Sequence, residues 1–111
     1  MKDIFVKGRD ILQKLEIDDI YYFTKKDRKV IAVTKEGSFR IDTSLYYINE
    51  VLGNNPNFLR CHKSFIVNLK KINTIIKFNN KTYNINFKGI KELAYITQRN
   101  LKILADKVSI I

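Results

Sequence analysis

The sequence predicts a mainly β domain of antiparallel strands with two short helices. Three observations carry this. Short runs of β-branched and aromatic residues recur along the chain, each cut off by polar or glycine-containing turn signals. One run, Thr82–Phe87, alternates strictly, with Tyr83, Ile85 and Phe87 on one face and Thr82, Asn84 and Asn86 on the other. Apolar residues fall at helical spacing in only two capped stretches.

Taken in order, Lys2–Lys7 reads as a short strand with Ile4 and Val6 opposite Phe5, ended by the turn Gly8-Arg9-Asp10. Ile11–Ile17 fits either a strand or a helix, and Asp18-Asp19 breaks it. A meander follows: Ile20–Thr24, Val30–Thr34 and Ser38–Ile41. Its first connection is a polar loop, Lys25-Lys26-Asp27-Arg28-Lys29, with four cations in five residues. Its second is the turn Lys35-Glu36-Gly37. Thr43-Ser44 caps a helix starting at Leu45, in which Leu45, Ile48, Val51 and Leu52 share a face, and Gly53-Asn54-Asn55-Pro56-Asn57 ends it. Its apolar stripe and few charges suit core packing. Further on, Ile72–Phe78 is a strand, joined to Thr82–Phe87 by Asn79-Asn80-Lys81, where Asn tolerates left-handed backbone angles. Gly89 marks a turn before Ala94-Tyr95-Ile96. Thr97 caps a second helix, Gln98–Lys107, with Leu101, Leu104 and Ala105 on one face, and the apolar tail Val108–Ile111 is left to pair or pack.

The 111 residues fit one domain, and an apolar share of 45% is ordinary for a folded chain. No apolar run approaches the roughly 18 residues that span a bilayer, and Met1–Lys7 lacks the apolar core of a signal peptide. A lone cysteine, Cys61, cannot form an internal disulfide and points to a reducing compartment, so the cytoplasm is the expected location. Twenty-one Lys and Arg against eleven Asp and Glu leave a charge of +10. That balance favours nucleic acid, an anionic membrane surface or an acidic protein as partner. Richness in Ile, Asn and Lys is also what AT-rich coding produces.

Catalytic constellations are absent from the sequence. The one His and the one Cys are neighbours, His62 and Cys61, whose side chains point to opposite faces of a regular strand, so neither a zinc site nor a Cys/His dyad is expected. The four glycines are isolated and form no phosphate-binding loop. Asp18 and Asp19 sit together in a turn. The reading is of a protein that is not an enzyme and has no cofactor.

The stretch Phe58–Ile72 organises the chain. Two apolar runs, Phe58-Leu59 and Phe65-Ile66-Val67, flank the polar break Arg60-Cys61-His62-Lys63-Ser64, and Asn68 closes the second run. Extended backbone on both sides pushes His62, Lys63 and Ser64 outward, and all three can donate hydrogen bonds to a polyanion. Phe65, Val67 and Cys61 suit the core. Arg60, His62, Ser64, Phe65, Val67 and Asn68 together resemble the signature of the LytTR DNA-binding domain, and the resemblance extends from about residue 17 to 107.

The resemblance implies an elongated, β-dominated fold with short helices packed alongside. It implies sequence-specific binding of double-stranded DNA, as pairs on promoter direct repeats, through loops that enter major grooves. Three reading regions follow: the 25–29 loop, the break at His62-Lys63-Ser64, and Tyr95–Lys102. Arg28, Lys63 and Arg99 are the expected base contacts, an arginine being able to hold guanine O6 and N7 together. Lys26, His62, Ser64, Tyr95, Thr97, Asn100 and Lys102 are the expected backbone contacts. Members of the family are commonly output halves of bacterial two-component response regulators. No receiver domain precedes this one in 111 residues, which leaves a fragment, or a stand-alone regulator under a membrane partner; a dimer on DNA is open. The rival reading is a basic interaction module that binds single-stranded RNA, an acidic protein or an anionic membrane surface without sequence specificity. Tyr21, Tyr22, Tyr46, Tyr47, Tyr83 and Tyr95 would serve as stacking platforms on RNA, but most of them fall in the core phase of the alternation.

Overall fold

The computed structural model describes residues 3–7 and 10–111. Lys2 of the expected first strand and Gly8-Arg9 of the turn after it lie outside the described residues. The described residues form ten strands and two α-helices. They run β1 Ile4–Lys7, β2 Leu12–Leu15, β3 Ile20–Lys26, β4 Lys29–Thr34, β5 Gly37–Ile41, α1 Leu45–Leu52, β6 Phe58–His62, β7 Phe65–Asn68, β8 Ile72–Lys77, β9 Thr82–Phe87, β10 Leu93–Thr97 and α2 Gln98–Ala105. The ambiguous 11–17 stretch resolves as β2, paired antiparallel to β1, and a 3-10 turn at Ile17–Asp19 leads into β3.

A five-stranded antiparallel sheet, in the order β5-β4-β3-β7-β6, forms the middle layer. On one face, Phe23, Ala32 and Ile66 pack with Val6 and Leu15 of the first hairpin and with Leu45, Ile48 and Leu52 of α1. On the other, Tyr22, Val33 and Val67 meet Ile85, Phe87 and Ile96 of a three-stranded sheet, β10-β9-β8, together with Leu104 of α2. Cover on both faces explains why β3 reads as a dense apolar run, while β9, at the centre of a sheet covered on one face, alternates. Phe23, Ile66, Ile85 and Ile96 are fully buried, each worth roughly 1.5–3 kcal/mol relative to exposure. Stacking the layers gives an elongated body of 45 × 28 × 26 Å.

Two bulges in the five-stranded sheet decide which of its side chains share a face. The β3–β4 register shifts between Ile20 and Tyr22, so Tyr21 is an extra residue, and both tyrosines join the second core. Phe87 meets Tyr21 edge-on at 5.7 Å and stacks on Tyr22 at 5.4 Å. The Tyr21 hydroxyl donates to the Lys88 carbonyl at 2.7 Å. The β6–β7 register shifts between Arg60 and His62, making Cys61 the extra residue there.

Local chemistry sets the ends of the elements. Ser44 caps α1 by accepting from Tyr47 N–H, and Gly53 ends it at φ 52°, where a side chain would be strained. Val51, expected on the buried face of α1, is 53% exposed, because only Leu45, Ile48 and Leu52 point inward. α2 ends at Ala105, short of the expected Lys107; Leu104 is buried while Ala105 is exposed. The 79–81 turn does not use left-handed angles at its asparagines. Asn79 Oδ1 instead accepts from the N–H groups of Lys81 and Thr82, at 2.8 and 2.9 Å. The tail forms no strand; Val108 and Ile110 border a groove between α2 and β8, and both stay largely exposed.

Candidate nucleic-acid interface

The β3–β4 connection is tighter than a five-residue loop. β3 runs to Lys26 and β4 starts at Lys29, leaving Asp27 and Arg28 at φ 52° and 65°. Two consecutive left-handed residues make a type I′ hairpin turn, whose twist matches that of the strands. Arg28 therefore sits at the tip, and Lys25, Lys26 and Lys29 stand on the strand ends beside it, all exposed.

The second turn, Lys63-Ser64, joins β6 to β7 with His62 paired to Phe65. Antiparallel pairing of Thr24 with Phe65 brings it beside the first. The Ser64 carbonyl accepts from the Thr24 hydroxyl at 2.8 Å and from the Lys25 N–H at 3.1 Å. Within the turn, Ser64 N–H donates to His62 Nδ1 at 3.0 Å. Nδ1 is thus the unprotonated nitrogen, and Nε2–H is left as the donor. Burial, and then the charge of Lys63, hold this imidazole below its ordinary 6.5. Arg60 Nη2 donates to the Lys63 carbonyl at 3.0 Å, bracing the turn from beneath, and Lys63 itself is exposed.

The third segment arrives from β10. Tyr95 lies edge-on to Phe65 at 5.5 Å and 6.3 Å from the His62 ring, and it is 38% exposed. Thr97 caps α2, its hydroxyl accepting from Asn100 N–H at 3.1 Å. Asn100 sends its own side-chain amide to the Cys61 carbonyl at 2.9 Å. Arg99 and Lys102 are exposed on the first turns of the helix.

All three predicted regions therefore meet around the β6–β7 turn, although some 70 residues separate the first from the last. Of the residues singled out from the sequence, Arg28, Lys63, Arg99, Lys26 and Lys102 are exposed, and His62, Ser64 and Thr97 are partly so. Asn100 is half-buried with one amide N–H committed to Cys61. Cys61 does not point away from His62 as regular alternation requires. The bulge turns both toward β10, the thiol donating to the Tyr95 carbonyl at 3.2 Å, and burial pushes the thiol pKa up to about 12. Buried and kept protonated, the thiol packs as a small core group. Sequence reasoning named Arg60 only as part of the family signature, and missed Thr24 and the bracing use of Arg60 and Asn100. The one available signal was an Asn three residues after Thr97, where a capping box carries Glu or Gln.

Charge is segregated along the β3–β4 hairpin. Lys25, Lys26, Arg28, Lys29, Lys63, Arg99 and Lys102 gather at the end where the three segments meet, against two carboxylates there, Asp27 in the first turn and Glu92 in the groove beside Tyr95. At the other end, Glu16, Asp19 and Glu36 line a shared groove. Among the described residues the one ion pair is Lys14–Asp3 at 3.2 Å, so the cations at the basic end are not neutralised internally. A groove of about 460 Å³ runs between Lys25, Lys26, Ser64, Phe65 and Tyr95. The arrangement is a set of rigidly braced turns with outward cations, suited to a phosphate backbone and to base edges between phosphates.

Comparison with known proteins identifies the family and the fold. The sequence model of a family described as the LytTr DNA-binding domain matches residues 11–109. The transcriptional regulatory protein NatR of Bacillus subtilis is 27% identical over 100 residues, covering 88% of this chain and 42% of NatR. The transcriptional regulatory protein YpdB of Escherichia coli K12 is 34% identical over 76 residues, covering 67% of this chain and 30% of YpdB. The chain thus spans less than half the length of these relatives. A solved LytTr DNA-binding domain of a Bacillus cereus response regulator superposes with a TM-score of 0.82 at 22% identity, over 99% of each chain, which establishes the same fold.

Proposed function

The chain belongs to the LytTr DNA-binding domain family, and we propose that it reads duplex DNA in a sequence-specific way through the three turns gathered at its basic end. The observation that carries the reading is that gathering: exposed Arg28, Lys63 and Arg99 on separate segments, braced through Ser64 and Cys61. Braced turns place side chains with little entropy left to lose on binding. Arg28 and Arg99 are assigned to guanine O6 and N7, and Lys63 to a base acceptor. Lys26, His62 through Nε2–H, Ser64, Tyr95, Thr97 and Lys102 are assigned to phosphates. Neutralising about six to eight phosphates gives a log–log salt slope of roughly −5 to −7.

In this reading the domain is the output part of a longer transcriptional regulator in the cytoplasm, binding promoter direct repeats in pairs and governed by a receiver domain or a membrane partner. No described helix is long and apolar enough to cross a membrane. Single-stranded RNA is disfavoured because Tyr21 and Tyr22 are buried in the second core. Among the tyrosines, Tyr46 and Tyr47 are strongly exposed, but on α1, across the central sheet from the second core.

The test is selection from random duplex DNA by the purified domain, with a Lys63→Ala, Arg99→Ala double variant beside it. The expected result is an enriched repeat that the double variant no longer selects. Enrichment of nothing, with weak salt-sensitive binding that the variant leaves unchanged, would reduce the domain to a general polyanion binder.

A further inference from the structure

Cys61 has no partner in the β6–β7 register, because it is the bulged residue, and bulging leaves backbone groups without a ladder bond. Its carbonyl is satisfied from elsewhere, by Asn100 Nδ2 at 2.9 Å. Asn100 occupies the third position of α2, where the side chain of a capping box would reach back to the cap. Here the side chain makes no such return bond; beside the cap, the N–H of Gln98 donates to the Lys81 carbonyl at 2.9 Å. The cap hydroxyl of Thr97 meanwhile holds Asn100 N–H at 3.1 Å. With its backbone fixed by the cap, the Asn100 side chain is free to reach sideways to β6. It spans 39 residues of sequence to the residue two before Lys63.

We propose that Asn100 is a positioning residue for DNA reading, and that its bond to the Cys61 carbonyl sets the separation between Arg99 on α2 and Lys63 on the β6–β7 turn. The inference rests on the duplex-reading assignment above and replaces the backbone contact that the family resemblance implies for Asn100. Arg99 is the residue immediately before Asn100, and Lys63 is two residues after Cys61, so the bond ties the segments that carry the two predicted base readers directly to each other. Opposite it, the Ser64 carbonyl ties the same turn to Thr24 and Lys25. The β6–β7 turn is thereby fixed to both neighbours; on the α2 side the Cys61 thiol holds the β10 carbonyl of Tyr95, and Asn100 is the one side chain of α2 itself that bonds to β6.

A residue that sets spacing affects matched DNA and leaves unmatched DNA alone. A phosphate contact affects both, since every duplex carries the same backbone. The experiment compares wild type, Asn100→Ala and the similarly sized Asn100→Leu on two probes: the duplex enriched by the wild-type domain from a random pool, and a scrambled duplex of equal length and composition. Expected is a loss of about tenfold in affinity for the enriched duplex, the scale of one hydrogen bond whose partner stays unpaired. Affinity for the scrambled duplex and its salt slope stay unchanged. Equal losses on both probes would make Asn100 a phosphate contact and overturn the proposal. Losses on both that vanish on cooling, with a lowered melting temperature, would make it a fold-stabilising residue only and overturn it too. Unaltered affinity on both probes would also overturn it, while leaving the duplex-reading assignment standing. A pool from which wild type enriches nothing would sink that assignment, and this proposal with it.

Discussion

Arg28→Gly is expected to make the protein more stable and worse at binding DNA. The turn it occupies has φ 52° at Asp27 and 65° at Arg28. Asp tolerates the left-handed region, but for an ordinary L residue it costs about 1–2 kcal/mol, and type I′ turns accordingly favour Gly at the second position. Substituting Gly removes that strain and restores roughly 0.5–1 kcal/mol of unfolded-chain entropy, which folding must then overcome. The net gain is about 0.5–1 kcal/mol, a rise in melting temperature of about 2–5 °C for a domain of this size. Loss of a bidentate guanine contact costs about 1–3 kcal/mol, roughly a 5- to 150-fold fall in affinity for the selected duplex. Arg28→Ala separates the two effects, since Ala keeps the left-handed demand and loses the guanidinium; it should bind as poorly as the Gly variant without melting higher. Calorimetric melting and fluorescence-anisotropy titration at fixed salt read both quantities. If Arg28→Gly melts at or below wild type, the turn does not store strain. If it binds the selected duplex as tightly as wild type, Arg28 does not read bases, and its place at the tip is only that of a solvated hairpin.

Two further outcomes follow from the same geometry. His62 has a folded-state pKa lowered below 6.5, by burial first and by Lys63 second, and its Nδ1 accepts from Ser64 N–H, which an imidazolium cannot do. Its contribution to stability is therefore intact above about 6.5 and is lost as pH falls through the lowered folded value; melting temperatures between pH 7.5 and 5 (about neutral to acid) should fall more for wild type than for His62→Gln, and parallel curves would show that the ring is not titrating in the turn. Asn68 is fully buried, donates to the Ile20 carbonyl at 2.9 Å and accepts from Lys70 N–H at 3.1 Å. Asn68→Ala should cost about 2–4 kcal/mol by urea unfolding, since it strands the buried Ile20 carbonyl and frees the part-buried Lys70 N–H; a cost under about 1 kcal/mol would mean that water replaces the side chain.

What the sequence made legible follows a physical division. Alternation at Thr82–Phe87 survives intact because β9 has one buried face, so every apolar residue in phase points into the second core. The capped helices and their starts at Leu45 and Gln98 were readable because Ser44 and Thr97 act locally, within three residues. The three candidate segments were readable by resemblance and by charge. Bulges were not: Tyr21 and Cys61 are extra residues only relative to a partner strand, and that partner is remote in sequence. Nor were Val51 and Ala105 separable from their buried neighbours, since each lies at the margin of an apolar stripe, and the neighbouring layer decides how wide the buried stripe is. Bracing bonds such as Thr24 to Ser64 and Asn100 to Cys61 span 40 and 39 residues, and no local spacing signals them.

The bulge at Cys61 joins these threads. In a regular β6, Cys61 and His62 would face opposite ways, and one of the two would be lost to this side of the sheet. The extra residue lets Cys61 fill the second core while His62, one step on, lies edge-on to Phe65 at 5.7 Å and reaches Tyr95. The rings of His62, Phe65 and Tyr95 then form a floor beside Lys63, and the carbonyl released from the ladder becomes the anchor for Asn100. One irregular residue thus supplies both the support under the central turn and the attachment point of the helix that carries Arg99. Deleting the irregularity would restore a regular strand and dismantle the site, which is the pattern expected when a local departure from ideal geometry is kept for what it positions.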